Sequence, residues 1–473
     1  MPQAHPDEWA GALVERTASL PPPWPHDPLG ETRARVVDSG ERLVAFDDDP
    51  TGSQTVHDVP LLTDWDDSLV EQALADAPLC FVLSNTRSLN EDEAVVRLRV
   101  AARNVGEVAR RLGRTLRVLS RSDSTLRGHF PAELEAIDFG LGEQADAILL
   151  APAFIQGGRV TVDDVHWVRR GDDFTPVAAT EFAADPTFAF SSSHLPTWVE
   201  EKTRGRVPAS EVHSLDLALI REGGPDAVAA GLSDLGGGRI VVANALVERD
   251  VEVIAAGAQR AELDGRTIRH RCGASMVRAR AGLAQRPHLS AADLGSIDGP
   301  GLIVCGSHVP MSTAQLEVLF KRDDTEGIEI DVPALLSAPE LNEGLASEAA
   351  GRIDEVLRAG RHAVLSTSRA LAAGGRSPLE VARLVSGTVV SAVRYVRTPP
   401  GFVLGKGGIT SHDLATRALG IRRAEVLGQV AAGVSVWRAA QGRLPGVPFV
   451  VFPGNVGEER TLAEVVEKLS PTA

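Results

Sequence analysis

The sequence predicts an α/β protein, two doubly wound α/β domains with a cleft between them. Three observations predict it. Short β-branched runs alternate with helical patterns, the alternation breaks between about 264 and 300 and then resumes, and polar or glycine-rich clusters follow the apolar runs in both halves. A chain of 473 residues also exceeds what one hydrophobic core usually serves.

Residues 1–40 read as an N-terminal extension. They carry no basic region ahead of an apolar core, so no signal peptide is expected, and PPPWPHDP reads as an extended lead-in. Residues 41–270 form the first domain. RLVAF (42–46), LCFVLS (79–84), LRVLS (116–120) and DAILLA (146–151) are buried-strand candidates. Between the second and third, EDEAVVRLRVAARNVGEVARRLG has apolar residues at helical spacing. VTVDDVHWV reads as a hairpin turning near Asp163-Asp164, with His166 packed inside it. The stretch 185–204, rich in Pro, Ser and Thr, reads as an insertion or lid. The helical run DAVAAGLSDL, the strand RIVVANA (239–245) and the helical run VEVIAAGAQRAEL follow.

Residues 271–298 read as a linker and 299–473 as the second domain. Its strands are GLIVCGS, GIEIDV, HAVLSTS, FVLGKGG and PFVVFPGN, with helical patterns between. The formal net charge of −16 argues against nucleic acid or an anionic membrane as partner, but not against a small anion held by local arginines. Three scattered cysteines suit reduced thiols in a cytoplasm. No apolar run approaches the roughly 18 residues that span a bilayer.

Ligands of open α/β sheets bind outside the carboxyl ends of strands, which gives the polar clusters their meaning. FDDDPTGSQTV places Asp48 and Asp49 at a strand end, with Thr51 and Gly52 turning the chain. Such carboxylates suit a cation or general-base work on a hydroxyl; the plainer reading is an acidic turn capping a helix. RSDSTLRGH supplies Arg121, Asp123, Ser124, Thr125, Arg127 and Gly128. Guanidiniums grip carboxylate or phosphate, the hydroxyls suit a polyol, and the glycine lets backbone approach. The plainer reading is a helix-capping loop with paired arginines. Arg159, after Gly157-Gly158, adds a positive charge at another strand end.

In the second half, LGKGGITSHD leads from strand to helix through Gly407 and Gly408, past Ile409 and Thr410. Thr410 or Ser411 could cap that helix, with Asp413 completing a capping box. CGSHVPMST offers Ser307, with Ser312-Thr313 as a helix cap, and FPGNVGEE offers Gly454. Three glycine turns at strand ends suit an anion cradle; each alone is ordinary turn chemistry.

Together these residues resemble the four-carbon acid sugar kinases. The resemblance rests on Asp48-Asp49-Pro50-Thr51-Gly52, Arg121 to Gly128, Ala151 to Phe154 with Gly158 to Thr161, and Asp185-Pro186 with Ser193 to Leu195. In the second half it rests on Gly306-Ser307, Gly407 to Ser411, and Pro453 to Gly457. Pro50, Asp163-Asp164, Ile409 and Phe452-Pro453 depart from the family pattern. The resemblance implies an acid-sugar domain followed by an ATP domain, and ATP-dependent phosphorylation of threonate, erythronate or their 2-oxo forms.

On that reading Arg121, Arg127 and Arg159 grip the substrate, with Thr51, Gly52, Ser124, Thr125 and Gly128 around it. Asp48, Asp49 or Asp123 is the base. Ser307, Gly407, Gly408, Ile409, Thr410 and Gly454 hold the nucleotide, and Mg2+ bridges its phosphates. The expected partners are a small-molecule acid sugar and ATP, without nucleic acid or membrane, and a homodimer is among the assemblies left open. The alternatives are a kinase of another sugar acid, a non-catalytic acid-sugar sensor, and an NAD-dependent dehydrogenase. The last lacks a strand-linked GxGxxG.

Overall fold

A computed structural model describes residues 13, 16–171, 173–307, 309–368 and 378–470. The chain divides into two compact units, one ending at Gln285 and the other beginning at Arg286. The division falls inside the expected linker 271–298. Among the described residues no helix is long and apolar enough to cross a membrane.

The N-terminal unit contains β1 (Arg42–Asp47), β2 (Val59–Leu62), β3 (Leu79–Leu83), β4 (Leu116–Arg121), β5 (Ala147–Ala151), β6 (Arg159–Val162), β7 (Val165–Arg170), β8 (Asp173–Pro176), β9 (His213–Leu215), β10 (Arg239–Ala243) and β11 (Ile268–Cys272). Its main sheet runs β2-β3-β1-β4-β11-β5-β10-β9, every pair parallel. Strands such as β3 (LCFVL) are buried throughout, as a parallel sheet covered on both faces requires. The order turns back between β1 and β4, so the carboxyl ends of β3, β1 and β4 surround a topological switch point. Helix Glu91–Arg111 covers this part of the sheet's core and starts at an Asn90–Glu93 capping box.

β6, β7 and β8 form a separate antiparallel sheet. Asp163 and Asp164 turn its first hairpin at φ +49° and +59°, a pair of left-handed residues that suits the twist of a two-residue hairpin. The stretch 185–204, expected as an insertion or lid, packs firmly on the unit's core. Its helix Leu195–Lys202 buries Leu195, Trp198 and Val199 in one cluster with Phe130, Leu134 and Val168. Within the expected extension, helix Leu29–Ser39 packs on helix Glu248–Leu263, with Gln259 Nε2 donating to the Thr32 carbonyl.

β11 corrects the expected break after 264. It reads IRHRC, every residue is buried, and it lies between β4 and β5. Its charges are matched from outside: Arg269 by Asp138 and Glu143, His270 by Glu262, Arg271 by Glu133. Helix Ala274–Arg280 behind it is buried as well. Hydrophobic pattern cannot reveal such a strand, because its acid partners lie up to 138 residues away.

The C-terminal unit contains β12 (Leu302–Cys305), β13 (Thr325–Ile330), β14 (His362–Thr367), β15 (Val403–Lys406), β16 (Arg423–Ala431), β17 (Val434–Arg438) and β18 (Pro448–Phe452). β13-β14-β12-β15-β18 are parallel neighbours, and the hairpin of β16 and β17 continues antiparallel from β18. The order turns back between β12 and β15. The Gly306-Ser307 and Gly407-Gly408 turns therefore leave the sheet at a second switch point. Cys80, Cys272 and Cys305 are buried and take part in no disulfide among the described residues.

Candidate active site

Three loops at the first switch point place one compact set of charges. β1 ends in Asp47, and Asp48 and Asp49 follow. Asp49 takes the plainer role the sequence allowed: it caps the short turn Pro50–Ser53, accepting from the Thr51 N–H at 2.8 Å and from the Thr51 hydroxyl. Gly52 is required there, since a Cβ would stand 1.9 to 2.3 Å from the Asp47 carboxyl group.

The turn after β3 contributes Arg87, which the sequence reading missed. Its Nη2 lies 2.7 Å from Asp49 and 3.8 Å from Asp48, and its Nη1 lies 3.0 Å from Asp123. Burial disfavours the guanidinium, but these three carboxylates outweigh it and hold the proton more firmly than usual. The signal was the polar SNTRS at the end of β3, a strand end like the others.

The loop after β4 supplies the rest. Arg121 is buried and faces inward, 3.7 Å from Asp47 and 3.9 Å from Asp48. Asp123 receives Arg127 Nε at 2.7 Å and the Thr125 hydroxyl. Arg127 also reaches Asp185 at 3.6 Å. Gly128 sits at φ +124°, and a Cβ there would lie 3.4 Å from Asp48 Oδ2, so the bare glycine keeps space beside that carboxylate. Ser124 contributes its carbonyl to the loop's support, accepting from His166 Nε2 at 2.8 Å, while His166 Nδ1 meets the Thr161 hydroxyl at 2.9 Å. Burial pushes the His166 imidazole down to about 4, so it is neutral and structural, as expected from sequence. His129 ties the same loop to the carbonyls of Thr86 and Leu89.

The aspartates are therefore not equivalent. Burial opposes ionisation of Asp49 and Asp123, yet Arg87 and their hydrogen bonds hold both below the usual carboxylate range. Burial pushes Asp47 up to about 8 and Asp48 up to about 6, with nearby arginines only partly offsetting it. Among the described residues, both oxygens of Asp48 are buried without a hydrogen-bond partner. Arg159 rests on the Phe154 ring at 5.9 Å and pairs with no carboxylate among the described residues. Burial lowers its pKa, and Asp123 is the acid that most offsets this.

At the second switch point Ser307, Thr410, Gly407 and Gly454 meet. A Cβ on Gly454 would lie 2.8 Å from Ser307 Oγ, one on Gly407 (φ +111°) 3.3 Å from Ser307 Cβ, and one on Gly306 2.4 Å from Thr410 Oγ1. The turns fit together only without side chains at these glycines, which brings their backbones close. Gly408 begins helix Gly408–Asp413. Ile409 is 64% exposed.

The expected helix caps do not form. Ser411 instead donates to the carbonyls of Gly405 and Gly407, and Asp413 receives Ser386 and Arg417. Ser312 Oγ lies 2.9 Å from both Ser307 Oγ and the Gly454 carbonyl, within hydrogen-bond reach of each. The hydroxyls brace the turns from beneath.

Residues 43–280 match a family described as a sugar-binding N-terminal domain, and residues 302–462 one described as a nucleotide-binding C-terminal domain. A D-threonate kinase of Bordetella bronchiseptica is 38% identical over 133 residues, a stretch covering 27% of this chain and only 30% of that protein. A D-erythronate kinase of Heliobacterium modesticaldum is 26% identical over 404 residues, covering 81% of this chain and 86% of that one. A solved structure of a Haemophilus influenzae protein superposes with TM-score 0.57 at 16% identity, over 90% of this chain and 99% of that one, which shows a shared fold.

Proposed function

Because this chain belongs to the four-carbon acid sugar kinase family, we propose that it transfers the γ-phosphoryl of ATP to a terminal hydroxyl of a threonate, erythronate or 2-oxo-tetronate type acid in the cytoplasm. The observation that carries the mechanism is the inequality of the aspartates. A general base needs a free lone pair and a pKa near the working pH. Asp48 has both, with two unpartnered oxygens and a carboxyl pushed up to about 6. Asp49 and Asp123 are engaged by Arg87, so their role is to hold that cation and the loops around it.

Arg127 and Arg159 are the cations suited to the substrate carboxylate, since Arg121 faces inward to Asp47 and Asp48. Ser124 and Thr125, with Thr51 and the space beside Gly128, suit the polyol. Ser307, Thr410 and the backbone of Gly407 to Ile409 and Gly454 suit the phosphates of ATP. Mg2+ would enter with ATP and would supply positive charge against its phosphates; among the described residues no group of three or more His, Cys, Asp or Glu stands ready as a metal cage.

The test is ADP release measured over a panel of C4 to C6 sugar acids. Release that requires a C4 acid is expected. Release with no acid dependence overturns the reading, and acid binding without release turns it into a sensor.

Arg127→Ala is expected to cost about 2–4 kcal/mol of transition-state binding, read as kcat/KM, through loss of a charged clamp. A near-normal kcat/KM would make Arg127 structural. Gly454→Val places methyl groups against Ser307 Oγ, so KM for ATP should rise at least tenfold, about 1.4 kcal/mol. Acid-sugar affinity, measured by calorimetry, should stay within twofold, and equal loss of both would signal misfolding.

A further inference from the structure

Lys406 ends β15 wholly buried. Its Nζ donates to the carbonyls of Pro453 at 2.6 Å and Gly454 at 3.1 Å, and it lies 4.0 Å from the centre of the Phe452 ring. No carboxylate pairs with it among the described residues. The groups facing it are the Cys305 thiol from β12, the Phe452 face from β18, and Ser312 from helix Pro310–Leu319, which shares the Gly454 carbonyl. A buried ammonium without a counter-ion is costly. Burial pushes it down to about 7, with Cys305 offsetting slightly.

The carbonyls fix where the N–H groups point. In a trans peptide the C=O and N–H of one unit point in opposite directions. Carbonyls 453 and 454 turned in to Lys406 therefore turn the N–H groups of Gly454 and Asn455 outward. Neither N–H donates to a protein group among the described residues. Two free N–H groups thus sit over a buried cation that lacks its anion.

We propose that Lys406 is a positioning residue and the counter-charge of the nucleotide's phosphates, acting from beneath the Pro453-Gly454 turn, and that nucleotide binding draws a proton onto its amine. This rests on the reading of the C-terminal unit as the ATP site. The proton comes from solvent buffer and no other bond changes. Binding favours the charged form, so nucleotide affinity is full below pH about 7 and falls as pH rises through the free lysine's range, by up to about tenfold per pH unit. The fall ends at the higher pKa of the complex.

The test is calorimetric titration of the whole protein with Mg·ATP, without sugar acid, at pH 8 in two buffers of different ionisation enthalpy. Wild type is expected to take up a fraction of a proton approaching one. Lys406→Met should bind at least tenfold more weakly and take up none. Lys406→Arg, charged throughout, should also take up none and hold a flat affinity from pH 7 to 9. Nucleotide binding by wild type without proton uptake overturns the proposal and leaves the ATP reading intact. Failure of wild type to bind ATP at all overturns the ATP reading itself. If Lys406→Met does not fold, Lys406→Arg decides, and a wild-type pH slope in that variant overturns the proposal.

Discussion

Asp48→Asn is expected to lower kcat by about 10²–10⁴-fold, the usual worth of a general base, while the sugar acid still binds. Asparagine keeps the shape and removes a charge that the site buries without hydrogen bonds, so thermal stability should hold or rise. The wild-type pH profile gives a second readout. A base must be ionised to accept the hydroxyl proton, so kcat/KM should fall as pH drops below about 6, where the Asp48 carboxyl takes up its proton. A variant retaining more than a tenth of wild-type kcat would move the base elsewhere in the loop.

Arg87→Ala carries the second large effect. Its removal leaves Asp49 and Asp123 without their main cation and Asp48 with Arg121 alone among the described residues. Stranding buried carboxylates costs about 3–5 kcal/mol, and activity should be lost with the loop geometry. The cost depends on pH in a definite direction. Asp49 and Asp123 are held low in the native protein, so their stabilisation is present above the unfolded value of about 4 and lost as pH falls through their native values. Urea unfolding should therefore show the largest gap between variant and wild type at neutral pH, narrowing toward acid. Arg87→Lys should recover little, because one ammonium cannot reach three carboxylates as the planar fork does. A gap below 1 kcal/mol at pH 7 would count against this account.

The parallel strands and the strand-end clusters were legible because apolar runs and glycine turns are local signals. That is why Asp48, Arg127, Ser307, Gly407 and Gly454 stand out in the sequence as candidates. Arg87 was not, since one arginine in a short turn gains meaning only beside three aspartates from two other loops. Nor could sequence choose among Asp48, Asp49 and Asp123, because the choice rests on which of them has hydrogen-bond partners. Lys406 stood in plain view within LGKGG, but its burial and the carbonyls it binds depend on a turn 47 residues away. β11 was hidden for the opposite reason, by wearing the composition of a surface segment.

That charged strand also completes the N-terminal unit's sheet. β11 comes last of that unit's strands in sequence, yet it lies between β4 and β5. Without it those two strands would stand two strand spacings apart, about 10 Å, too wide for any backbone bond. Its arginines and histidine meet acids from other segments of the unit, and a slip of one residue would turn each charge to the wrong face. The sheet is finished by a keystone that fits in one register only.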